Sequence, residues 1–148
     1  MYSVTIEGLN QKEALRYMGM GNAPANETIL WELQSCEAEL LAVIKPRYTY
    51  KVFETAGLDL PGDSIRAHLE GCEKVVFLCA TIGTEADRFI RQAELLDMSK
   101  ALMADTLASV AVEQVCEKAE VQIHGQMPDW YMTWRFGVGY GDFPLTYQ

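Results

Sequence analysis

No stretch of this chain is apolar over the roughly 18–20 residues that a membrane-spanning helix needs, so a membrane is not an expected partner. The opening MYSVTIEGLNQKEALRY lacks the basic start, apolar middle and small-residue cleavage site of a secretory signal, which points to the cytoplasm. Basic residues are few and scattered: Lys12, Arg16, Lys45, Arg47, Lys51 and Arg66 form no stripe that could neutralise phosphates. With a net charge of −9, nucleic acid is not an expected partner either. Histidine is limited to His68 and His124, and the four cysteines (Cys36, Cys72, Cys79, Cys116) include no C-x-x-C pair. A structural zinc site needs clustered, closely spaced ligands, so buried free thiols are expected instead. There is no G-x-S-x-G elbow, no P-loop and no cysteine with an evident histidine partner. A self-contained catalytic apparatus is therefore not expected.

What the chain does have is a core. Of its 148 residues 49% are apolar, enough for one domain with one substantial interior. Residues 2–6 alternate and carry Val4, Thr5 and Ile6, a strand signal. Asn10 then caps a helix through Tyr17, which Gly19 and Gly21 end. Asn26 caps the next helix, whose stripe Ile29, Leu30, Leu33, Cys36, Glu37 and Leu40 recurs at three and four and runs on to Pro46. Residues 47–55 read as a strand. Asp63 or Ser64 caps a short helix over Ile65, His68 and Leu69, closed by Gly71. The unbroken apolar run 74–80 (KVVFLCA) predicts a strand buried on both faces. A capping arrangement at 84–87 starts a helix over 87–93, and a longer helix follows over about 97–119, with Ala101, Ala104, Ala108, Ala111 and Val115 along one side. With about four strands among helices of mixed length, the expected class is α+β, helices packed on a mainly antiparallel β-sheet.

Two clusters could carry binding chemistry. After Gly125 the chain turns aromatic and then glycine-rich: Trp134, Arg135, Phe136, Gly137, Val138, Gly139, Tyr140, Gly141, Asp142, Phe143, Pro144. Alternate glycines let a ligand approach the main chain, Arg135 offers a planar fork for a carboxylate, and Tyr140 and Trp134 could cover a ring or a sulfonium. A plain glycine-rich turn with Arg135 in a surface salt bridge remains open as the alternative. On the long helix Asp105, Ser109 and Glu113 recur at four, an acidic line that suits ribose hydroxyls or a cation and equally suits a solvated face. The segment 81–84 joins a strand to a helix N-terminus, a common place for polar ligands and also an ordinary turn.

The loop Arg135-x-x-x-Gly139-Tyr140, followed by Gly141, Asp142 and Pro144, resembles the Arg-x-x-x-Gly-Tyr signature of the activation domain of vitamin-B12-dependent methionine synthase. The stretches 80–83 and 104–108, with Glu113 further on, are similar to that family's other recurring segments, and the likeness spans residues 11–145. The resemblance implies one activation-domain-like domain over 1–148 that lacks the family's C-terminal part, which holds a further helix and strands. It implies an S-adenosylmethionine-binding accessory module for the reductive remethylation of cobalamin carried by a partner, a methionine synthase or related corrinoid methyltransferase. Arg135 would then grip the ligand carboxylate, and the backbone from Val138 through Gly139 to Tyr140 would hold the adenosine part. Glu113 and Asp129 would stand near the family's acidic positions. Ser109 replaces a second acid, and Phe136 and Val138 replace prolines. The alternative is a non-catalytic scaffold that keeps the fold without the ligand. That alternative predicts a homo-oligomer formed through an exposed sheet edge.

Overall fold

The computed structural model describes residues 1–20 and 26–148; Gly21, read above as a helix stop, lies outside them. In chain order the elements are β1 (Tyr2–Ser3), α1 (Gln11–Tyr17), α2 (Glu27–Val43), β2 (Arg47–Glu54), α3 (Asp63–His68), β3 (Lys74–Thr81), α4 (Thr84–Leu96) and α5 (Met98–Gln126), with a 3-10 turn at Leu145–Tyr147. The fold is α+β, with five helices packed against a three-stranded antiparallel sheet of order β1-β2-β3. β1 pairs antiparallel with β2 through Tyr2↔Tyr48 and Ser3↔Arg47. The bonds that flank β2 and β3, Lys45 N–H to Ile82 O (2.6 Å) and Thr55 N–H to Glu73 O (2.8 Å), run in opposite chain directions, so that pair is antiparallel too. No helix among the described residues is long and apolar enough to cross a membrane.

The chain divides into two compact units, Met1–Thr49 with Cys79–Ile123, and Tyr50–Leu78 with His124–Gln148. The core of the first is built on α5. Ala101, Ala104, Leu107, Ala108, Ala111, Val115 and Ala119 are buried along it, and Leu33, Cys36 and Leu40 are buried on α2. Both helix starts read from asparagine are present: Asn10 accepts from Glu13 N–H (3.2 Å) and Asn26 from Ile29 N–H (2.8 Å). The core of the second unit is Leu60, Ile65 and Phe143, with Leu58, Leu69, Phe136 and Val138 packed against it.

Several elements differ from the sequence reading. The described residues form three strands, not four. β1 stops at Ser3, because beyond Val4 the chain is held by side chains instead of a ladder. Lys118 Nζ donates to Thr5 O (2.8 Å), Gln114 Nε2 to Gly8 O (3.0 Å), and Asn10 N–H donates to Gln114 Oε1 (2.9 Å). The buried carboxylate of Glu37 takes Leu9 N–H (2.7 Å) and Gln11 Nε2 (2.6 Å). α4 begins at Thr84 behind Gly83, three residues earlier than expected, and its cap makes no side-chain hydrogen bond. α5 continues to Gln126. β3 is not buried on both faces. It is an edge strand, none of its eight residues is buried, and Phe77 and Cys79 are exposed.

Glu37→Ala leaves the Leu9 N–H a buried donor without its acceptor. The expected loss is about 1–3 kcal/mol, read as a lower urea midpoint with unchanged slope, and Glu37→Gln should recover part of it.

Candidate functional site

The β3–α4 turn and the middle of α5 come together in the first unit. Ala80, Thr81, Ile82, Gly83, Ala86 and Asp87 from one side, with Asp105, Ala108 and Ser109 from the other, line a cavity of about 490 Å³. Its space follows from small side chains, since Ala80, Gly83, Ala86 and Ala108 offer a methyl group or none. Gly83, at φ +92°, lies against Lys45, where an added Cβ would sit 3.4 Å from Lys45 Cβ. The Thr81 hydroxyl accepts from Gly83 N–H (3.0 Å), and the Ser109 hydroxyl donates back to Asp105 O (3.0 Å). With Asp87 and Asp105 on its lining and no basic residue there, the cavity suits a cationic or hydroxyl-bearing ligand better than an anion.

Two features read separately from sequence, the 81–84 turn and the helix line, thus meet on one cavity. Asp105 and Ser109 line it; Glu113 is exposed one turn further along α5. Asp87, read above as part of a cap, joins the lining instead. The signal available was its place in the first turn of a helix that follows a strand.

The glycine-rich loop belongs to the second unit, and its shape is set by packing and capping. Gly139 N–H donates to Phe143 O (3.0 Å), Phe143 N–H to Tyr140 O (3.0 Å) and Tyr140 N–H to Gly137 O (3.1 Å). The amides of Gly139 and Tyr140 are therefore engaged inside the turn. Val138 packs on the core cluster and is half-buried. Gly139 and Gly141 sit at φ +90° and +56°; a Cβ on Gly141 would come within 2.7 Å of Ser64 Cβ. Tyr140 is 64% exposed, Asp129 is exposed, and Arg135 is half-buried and already engaged in an interaction. Phe136 lies among His68 (centroids 5.1 Å apart), Tyr140 (6.0 Å) and Phe143 (6.4 Å), and His68 also meets Trp134 edge-on at 5.3 Å. His68 is thus a packing residue.

Asp142 is the polar anchor of this loop. α3 starts behind Gly62, which has no side chain to cap it, and Asp142 does so from the loop. Its carboxylate takes Ser64 N–H (2.9 Å) and Asp63 N–H (2.6 Å). Sequence placed the cap on Asp63 or Ser64 because a local acceptor is the usual one, and an acceptor about eighty residues away leaves no local signal.

The four thiols are free, but only Cys36 is buried; Cys72 and Cys116 are half-buried and Cys79 is exposed. Burial pushes the Cys36 thiol up to about 11, so it stays protonated and unreactive. Among the described residues no group of three or more His, Cys, Asp or Glu is placed to hold a metal.

The N–H groups of Ser64 and then Asp63 hold the Asp142 carboxyl down to about 2, from an ordinary 3.8. Because the folded value lies below the unfolded one, its stabilisation is complete above pH 4 or so and is lost as pH falls towards 2. Melting temperature measured from pH 6 to pH 2 should therefore start lower in Asp142→Asn, and the gap to wild type should close across that acid window. A gap that is constant with pH would mean the carboxylate charge does not matter.

No family model and no curated protein sequence matches the chain.

Proposed function

We propose that this chain is an S-adenosylmethionine-binding accessory module serving the reductive remethylation of cobalamin on a methionine synthase or related corrinoid methyltransferase. The observation that carries this reading is the cavity of the first unit. Two of the three family-like segments supply its lining: residues 80–83, and Asp105 with Ala108 from 104–108. Its volume of about 490 Å³ lies within the range of small-molecule sites, roughly 300–1,000 Å³. The ligand is a cation at its sulfonium and its amino group and also carries ribose hydroxyls. Asp87 and Asp105 offer carboxylates to such groups, and Ser109 a hydroxyl. Cobalamin on the partner would supply the methyl-accepting metal; this chain would bind and orient the donor.

Calorimetric titration with S-adenosylmethionine tests the reading. Wild type should give a saturable isotherm. Asp105→Asn should weaken it by about 10-fold or more, the range of a lost charge-assisted contact. S-adenosylhomocysteine, which lacks the sulfonium charge, should bind less tightly than the methyl donor. A flat titration of folded protein, or an Asp105→Asn variant that binds like wild type, overturns it.

A further inference from the structure

We infer, on the reading of the first unit's cavity as the ligand site, that it anchors its ligand by an ammonium group on an apolar body and leaves the ligand's carboxylate unpaired. The class it takes is an organic ammonium ion whose carboxylate is dispensable. What carries this is the direction of the hydrogen bonds that the lining can still make.

Four polar side chains line the cavity: Thr81, Asp87, Asp105 and Ser109. Ionised carboxylates accept hydrogen bonds and never donate. No hydrogen bond or ion pair engages the carboxylate of Asp87 or Asp105 among the described residues. Other acids of the unit are engaged: Glu85 pairs with Arg88 (2.8 Å) and Glu39 with Lys100 (2.7 Å). Ser109 gives its proton to Asp105 O (3.0 Å), so its oxygen can only accept. Of the backbone donors at the turn, Gly83 N–H goes to the Thr81 hydroxyl (3.0 Å) and Ala86 N–H to Gly83 O (3.2 Å). The Thr81 hydroxyl proton is left as the one side-chain donor on the lining. Ile82, Ile90 and Val112 supply the apolar wall.

A carboxylate needs donors, and neither Lys nor Arg is on this lining. The first turn of α4 is the nearest source of free N–H groups. Thr84 and Glu85 are not on the lining, however, and Glu85 and Asp87 put acidic side chains into that turn. Repulsion from Asp87 and Asp105 adds to the mismatch, since salt at physiological strength screens only beyond about 8 Å. An ammonium group brings three donors to a set of acceptors. A sulfonium brings charge without a donor, so the amino group of the proposed ligand is the part best matched.

Calorimetric titration of the full chain at physiological salt can compare S-adenosylmethionine with its decarboxylated form, which keeps both cationic groups and lacks the carboxylate. The decarboxylated form should bind tighter, by about 3-fold or more. Asp105→Asn should narrow that preference, because it removes part of the repulsion that the carboxylate meets. Asp87→Asn should do the same; both positions are exposed, and circular dichroism should show both variants folded. A smaller preference in wild type, its reverse, or a preference that both variants leave intact overturns the inference while the proposed function stands. Binding of the decarboxylated form alone overturns the proposed function and supports the inference. Two flat titrations of folded protein overturn both.

Discussion

The distance at which other elements can approach α5 governs the first unit. A helix lined by Ala101, Ala104, Ala108, Ala111 and Ala119 presents little more than its backbone cylinder. Close-packed interiors leave no room for slack, so the neighbours that meet this stripe must come in tightly. The same economy of side chains produces the cavity. Where the β3–α4 turn faces α5, Ala80, Gly83, Ala86 and Ala108 fall short of filling the space, and Asp87, Asp105 and Ser109 supply its polar groups. Core and candidate site are two consequences of one composition.

In the second unit the corresponding constraint is polar. The glycine-rich loop is bent so that Asp142 can reach the start of α3, and Phe143 beside it enters the core with Leu60 and Ile65. Gly139 and Gly141 at positive φ are required by that bend, and Gly141 also by the closeness of Ser64. The residues that the resemblance assigns to a ligand are sorted by this packing. Val138 turns to the core, the amides of Gly139 and Tyr140 close the turn, and the rings of Tyr140 and Trp134 remain exposed. The carbonyls of Gly137, Tyr140 and Phe143 are taken up in the same turn, so any recognition by this loop would rest mainly on its side chains.

The irregular segment after β1 shows how long polar side chains replace a ladder. Glu37, Gln114 and Lys118, each on a helix, satisfy the backbone groups of Thr5, Gly8, Leu9 and Asn10. The period-2 pattern of residues 2–6 was legible as a strand, but a strand needs a neighbour with free edge groups, and beyond Ser3 the helix side chains take that place. Glu37 was legible only as a member of a helical stripe. Why a carboxylate belongs on that buried side appears once Leu9 and Gln11 are seen against it.

By itself the sequence determined the local matters. Asn10 and Asn26 fix helix starts because a side-chain acceptor two or three residues away is a local interaction, and the stripes of α2 and α5 fix their buried faces because helical periodicity is local as well. Tertiary structure alone decided the rest. An apolar run reads the same at a sheet's centre and at its edge, so the exposure of Phe77 and Cys79 depends on how many strands lie beside β3. A cap supplied by Asp142, and a cavity shared by Asp87, Asp105 and the 81–83 turn, depend on segments far apart in the chain. No pattern within either segment records which other segment it will meet, because closing such long loops is driven by burial summed over the whole unit.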